Sequence, residues 1–339
     1  MIKTIIYNLL LIIKIIILNY FIKIMNKKMF YIKKMMSVQE AGDLLYSALD
    51  AKNRDEAVLN VVENTNLDQR LQICNYFAEK YGKSLYSELK SKLSGYFKSI
   101  AIHLFLHPIT FVAKNLKKGL KGFSADETVV LEALTSHTQE ELRQIEEAFK
   151  AETGKDLSKE IEKNFSGSLK KNLLNLLNVP RGENHNPDKA KCEKLAQLLI
   201  DVGEPNWSGD ENVFKEVFIQ SSPEELVMIG RFYLKKCGNN MLDVIDQKVS
   251  GKNKTLLREV LFNNIIPQEL YAEKVYLAIK GLGTNNTLLN RVLVARNEID
   301  MDDIKQFYQS KYNVSMREDI MGDTSGIYQT LCLVLGHCN

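Results

Sequence analysis

Apolar positions along the chain recur at steps of three and four. Leu142, Ile145, Ala148 and Phe149 are separated by Glu, Gln, Arg and Lys, which puts one apolar stripe on an otherwise solvated helix. The same spacing returns along most of the chain. No sustained alternation of period two interrupts it, and six prolines in 339 residues leave room for many helices. The pattern predicts an all-α fold of short helices. Ser124-Ala125-Asp126-Glu127 has capping-box spacing and predicts a helix start.

The pattern also repeats over a longer period. A Ser-Gly pair occurs at Ser94-Gly95, Ser166-Gly167, Ser250-Gly251 and Ser325-Gly326, at spacings of 72, 84 and 75 residues. About ten residues before each pair stands a shared landmark: Tyr81-Gly82, Thr153-Gly154, Cys237-Gly238 and Tyr312-Asn313. An apolar run follows each pair, such as Leu173 to Leu177 or Leu331 to Leu335. These landmarks divide the chain into copy one (37–108), copy two (109–179), copy three (190–265) and copy four (266–339). Asn178 to Pro187 reads as the linker, assigned to 180–189.

Gly281-Leu282-Gly283-Thr284 is the most distinctive local motif, with Asp323 forty residues after Gly283. Glycine lets a chain turn back with φ > 0 and present its carbonyls. A carboxylate beside such a turn suits Ca²⁺, which takes roughly six to eight oxygen ligands at about 2.3–2.6 Å. Residues two before each Ser-Gly serine are Lys92, Asn164, Lys248 and Asp323, so only copy four is acidic there. A lysine offers donors and no acceptor. Copies one and three therefore read as lost sites. Copy two, with Asn164 and nearby Asp126 and Glu127, is intermediate. A tight turn with Asp323 capping a helix is the structural alternative for copy four.

These residues resemble the annexins over about Ser37–Gly336, with a divergence that also resembles the alpha-giardins. Ile279-Lys280-Gly281-Leu282-Gly283-Thr284 with Asp323 is similar to the family's fourth-repeat calcium site. Leu120-Lys121-Gly122-Phe123 and Asn206-Trp207-Ser208-Gly209-Asp210-Glu211 resemble the second- and third-repeat loops. The resemblance implies four repeats of about five helices in a right-handed superhelical disk, and calcium-dependent binding to acidic phospholipid such as phosphatidylserine. It implies calcium ligands from the carbonyls of Ile279, Gly281 and Gly283 and a bidentate Asp323. About two positions remain for water or lipid phosphate. If the loops face one way, Phe123, Trp207 and Leu282 meet the lipid interface; otherwise they pack against their own repeats. Lys92 and Lys248 either contact lipid phosphate, at about 1 kcal/mol each, or are solvated surface residues.

Charge and cysteines narrow the remaining classes. The formal charge of +3 includes seven lysines and no acid within residues 1–36, so the rest of the chain carries −4 and lacks a basic footprint for nucleic acid. Five cysteines without CxxC spacing read as thiols of a reducing compartment. His103 and His107 have helical spacing but no evident third zinc ligand. No nucleophile–base constellation or P-loop lysine is present, so no enzyme is expected. Residues 1–36 fit a mis-assigned translation start or a membrane anchor across Ile5–Ile24 interrupted by Lys14; no cleavage site supports a signal peptide. The functional expectation is a cytoplasmic protein, peripheral at the inner face of membranes. A calcium-independent cytoskeletal scaffold that binds filaments, of the alpha-giardin kind, is the alternative.

Overall fold

The computed structural model describes residues 36–121, 125–183, 185–281 and 283–338. The regular elements among them are helical: twenty helices and no strand. They fall into two compact units, divided between Phe105 and Leu106.

The first unit contains α1 (Val38–Ala48), α2 (Arg54–Glu63), α3 (Leu67–Tyr81), α4 (Leu85–Lys92) and α5 (Gly95–Ala101), then a 3₁₀ turn at Ile102–Phe105. Leu45, Val58, Ile73, Phe77, Leu89 and Ile100 form its interior. Arg70 is buried with them and donates to the carbonyls of Leu104 and Thr65, both at 2.8 Å. Those bonds satisfy carbonyls at the chain turns around α3 and offset the cost of burying a guanidinium.

The second unit repeats the five-helix series three times. Its first series is α6 (Pro108–Gly119), α7 (Glu127–Thr135), α8 (Gln139–Thr153), α9 (Leu157–Asn164) and α10 (Gly167–Asn178). The second is α11 (Lys189–Val202), α12 (Glu211–Val213, continuing as a π-helix over Phe214–Ile219), α13 (Pro223–Cys237), α14 (Met241–Lys248) and α15 (Gly251–Ile265). The third is α16 (Pro267–Ile279), α17 (Asn286–Arg296), α18 (Met301–Tyr312), α19 (Met316–Asp323) and α20 (Gly326–Leu335). The amphipathic stripe of α8 points inward, with Leu142, Ile145 and Phe149 buried.

Both repeated landmarks have a backbone cause. The third helix of each series ends on a left-handed residue: Gly82 (φ 65°), Gly154 (72°), Gly238 (74°) and Asn313 (55°). Glycine is the usual residue at such a cap, and asparagine is the tolerated substitute. The Ser-Gly glycines enter the fifth helices with φ between 60° and 62°.

Helix starts are set by side-chain caps. Capping boxes form at Ser37/Glu40, Asn66/Gln69, Thr138/Glu141, Ser222/Glu225 and Ser315/Glu318. The start of α7 differs from expectation. Its cap is Asp126, whose Oδ1 accepts from the Thr128 N–H at 3.1 Å, and Ser124 lies outside the described residues. A carboxylate directly at the cap serves the same orphan donors without a box. The expected linker is docked: Gly182 N–H donates to the Ile219 carbonyl at 3.2 Å, and a Cβ on Gly182 would stand 2.3 Å from the Gln220 carbonyl oxygen.

Four buried charges join three helix series. Lys274 Nζ donates to Glu132 Oε2 at 3.1 Å and Glu259 Oε2 at 3.0 Å, and Arg291 Nε donates to Glu132 Oε1 at 3.1 Å. Desolvation alone would raise the Glu132 carboxyl, but Lys274 and Arg291 together hold it down at about 2. For Glu259, burial outweighs the attraction of Lys274 and raises the carboxyl.

Among the described residues, no helix is long and apolar enough to cross a membrane. Residues 1–35, on which the anchor and start-site readings rest, lie outside them.

Candidate functional site

Helix α16 ends at Ile279 and α17 begins at Asn286, so the loop between them spans residues 280–285. Gly281 (φ 136°) and Gly283 (φ 85°) give it a backbone that side chains with a Cβ rarely adopt. Asn285 N–H donates to the Ala278 carbonyl at 2.7 Å, which folds the loop back on the end of α16. The Asn285 side chain then accepts from Leu288 N–H at 3.1 Å and starts α17.

Asp323 is the last residue of α19 and is half-buried. Thr284 ties it to the loop: its hydroxyl stands 2.7 Å from Asp323 Oδ2 and 2.8 Å from the Asp323 carbonyl oxygen. Lys280, the one cation in the loop, is directed elsewhere. Its Nζ lies 3.1 Å from Asp319 Oδ1, while Asp319 Oδ2 accepts from the Tyr308 hydroxyl at 2.5 Å. The carboxylate of Asp323 is thus positioned at the glycine turn, and among the described residues no ammonium is committed to it.

The donor chemistry of this place is oxygen: loop carbonyls, one hydroxyl and one carboxylate. Among the described residues there is no cluster of three His, Cys, Asp or Glu that would hold a metal by side chains alone. A hard cation that accepts backbone oxygens fits this donor set, and zinc does not. Ile279 is the last residue of α16, and Gly281 and Gly283 lie on the loop that Thr284 joins to Asp323. Leu282, proposed to meet lipid, lies outside the described residues, as does Phe123.

The other three copies are engaged differently. In copy two, Asn164 Nδ2 donates to the Glu160 carbonyl of its own helix at 2.8 Å. Asp126 is occupied as the cap of α7, and Glu127 pairs with Lys252 at 2.8 Å. In copy one, Lys92 pairs with Asp50. In copy three, Lys248 Nζ stands 3.0 Å from Glu204 Oε1. Each of these partly exposed lysines is paired with a carboxylate of its own repeat.

Of the two alternatives for Trp207, the structure has it packed inside its own repeat, with a relative exposure of 0%. Its Nε1–H donates to the Leu199 carbonyl at 2.9 Å, and its ring meets Tyr233 edge-on at 5.3 Å. An indole with its one donor satisfied and its faces covered is most stable inside. The buried Glu132–Lys274–Arg291 network was also missed. Its only sequence signal is a charge set within an apolar helical run, as in Leu131-Glu132-Ala133-Leu134.

The annexin family model matches residues 39–104, 111–176 and 271–335, more than half of the chain. The chain belongs to the annexin family. It is 33% identical to annexin A13 of Mus musculus, over 86% of this chain and 93% of that protein. The structure of chicken annexin V is similar at a TM-score of 0.79 and 30% identity, covering 90% of this chain and 96% of that one. A calcium-bound annexin, annexin (Sm)1, is similar at 0.79 and 25%, covering 88% and 90%. Calcium-bound alpha-14 giardin shares the fold at 0.75 with 16% identity, covering 88% and 99%. The three matched spans fall in repeats 1, 2 and 4 of this annexin, and the lysine-bearing, π-helical repeat 3 lies between them.

Proposed function

We propose that this annexin binds acidic phospholipid membranes in a calcium-dependent way through repeat 4, as a non-enzymatic peripheral organiser at the inner face of membranes. The observation that carries the reading is the link between Thr284 and Asp323. It brings the acidic residue at the end of α19 to a glycine turn whose carbonyls suit a hard cation.

Ile279, Gly281 and Gly283 would hold the ion by their carbonyls, and Asp323 by its carboxylate. When bound, calcium supplies positive charge that a lipid phosphate can complete. One carboxylate leaves a divalent ion under-neutralised, so an anionic headgroup improves both charge balance and coordination. This predicts weak binding of calcium alone and stronger binding in the presence of a membrane. The calcium-bound state of annexin (Sm)1 supports the cofactor assignment by similarity.

A second reading is favoured by the other repeats. Lys92, Asn164 and Lys248 each find a partner within their own repeat. A protein with so few open sites would suit calcium-independent attachment to a cytoskeletal filament.

Co-sedimentation of the full chain with phosphatidylserine vesicles, with and without calcium, separates the two. Calcium-dependent pelleting that Asp323→Ala abolishes supports the first reading. Absence of pelleting in every condition supports the second.

A further inference from the structure

Repeats 1 and 3 place lysine in the register where repeat 4 has Asp323. Each lysine reaches back to an acid in the stretch that follows its repeat's first helix. Lys92, the last residue of α4, pairs with Asp50; Lys248, the last residue of α14, pairs with Glu204. The partners are 42 and 44 residues apart, and 39 residues separate Thr284 from Asp323. All three links join the same two places in the repeat: the loop after the first helix and the end of the fourth.

The sign of the charge is what differs. Repeat 4 supplies an anion and leaves a cation to come from solution. Repeats 1 and 3 supply both charges from the chain. We infer that Lys92 and Lys248 are tethered cations, specificity-determining residues that close their loops in place of a divalent ion and confine ion-dependent closure to repeat 4. Only the last clause rests on the reading of repeat 4 given above.

Magnitudes favour exclusion over stability as the role. An exposed ion pair contributes little to folding. A partner held on the same chain, however, acts at an effective concentration on the order of millimolar. An incoming cation must displace that ammonium and also tolerate it nearby. The repeat 3 link is the more enclosed of the two at its acid end, although Lys248 itself is 47% exposed against 35% for Lys92. The side chain of Glu204 is 22% exposed against 75% for Asp50, and it also accepts from the Tyr233 hydroxyl at 2.7 Å. Lys248 therefore controls its loop more strongly than Lys92.

The test is hydrogen–deuterium exchange on the full chain, in chelator and in about 1 mM calcium. Wild type is compared with Lys92→Ala, Lys248→Ala, Lys248→Arg and Glu204→Gln, with urea unfolding as the check on global folding. In wild type, exchange over residues 49–54 and 203–211 is expected to be the same with and without calcium. In chelator, Lys248→Ala and Glu204→Gln are each expected to speed exchange over 203–211 by about three- to fivefold at an unchanged urea midpoint. Lys248→Arg should restore most of the protection, and Lys92→Ala should have a smaller effect over 49–54.

Slower exchange of these loops in calcium in wild type would overturn the inference. So would Lys248→Ala and Glu204→Gln variants that exchange like wild type. A loss of protection spread over the whole of the repeat, with a lower urea midpoint in both variants, would also overturn it by showing a structural link only. Failure of residues 280–285 to respond to calcium would sink the repeat 4 reading and leave the chelator comparison standing.

Discussion

The hydroxyl of Thr284 lies 2.7 Å from Oδ2 of Asp323, across thirty-nine residues of sequence. This bond aims the carboxylate at the loop before any ion arrives. Removing the hydroxyl while keeping the shape should leave the fold intact and lower the affinity for calcium. Thr284→Val is expected to weaken calcium binding about tenfold, the usual scale for loss of a group that orients a ligand. Titration calorimetry in the presence of phosphatidylserine vesicles measures it. An unchanged affinity would show that Asp323 needs no such support.

Trp207 is the only tryptophan in the chain and is fully covered. Its fluorescence in the ion-free protein should be that of an indole in an apolar setting, with little quenching by acrylamide. Vesicles added without calcium should not change it. Trp207→Ala should cost about 3–5 kcal/mol of stability, as expected for emptying a packed aromatic site. A near-zero change in the urea midpoint would contradict its place in the interior.

The buried triad of Lys274 with Glu132 and Glu259 ties helices from three repeats. Lys274→Ala leaves two carboxylates facing each other without their shared cation and should destabilise by about 3–5 kcal/mol. Lys274→Met keeps the packing but not the charge, so it separates the electrostatic part from the cavity. Urea unfolding at neutral pH decides between them.

Acid should act through the same cluster. Glu132 is held at about 2, below its ordinary value of 4.5, so its charged form is favoured by folding. The stability it contributes is fully present above pH 4.5 and is lost as pH falls from there through about 2. Glu259 works in the opposite sense, because its folded carboxyl is raised and protonation relieves a cost. Glu132→Gln is expected to flatten the acid limb of a stability–pH profile, and Glu259→Gln to steepen it. Profiles that move together would overturn this assignment.

The left-handed caps give a test of the repeat itself. Gly154→Ala places a Cβ at φ 72° and should cost about 1–2 kcal/mol, although nothing stands within 4 Å of the added atom. Asn313→Gly should be neutral or slightly stabilising. Thermal unfolding of both variants checks the backbone origin of the landmark.

Local physics alone determined the helical periodicity, the positions of the repeats and the turn at Gly281–Gly283. Those features depend on neighbours a few residues away: an apolar stripe at steps of three and four, a cap, a φ that only glycine or asparagine accepts readily. The register of Lys92, Lys248 and Asp323 was also legible, because the Ser-Gly pair fixes it. What those residues touch was not. Asp50 and Glu204 look like ordinary surface acids in sequence, and only the tertiary fold brings a lysine from more than forty residues away to meet them. Trp207 shows the same limit from the other side. Its loop position suggested exposure, but Tyr233 and the Leu199 carbonyl offer it a covered, hydrogen-bonded place inside. Pairing across a repeat is decided by which surfaces pack together, and no local spacing encodes that.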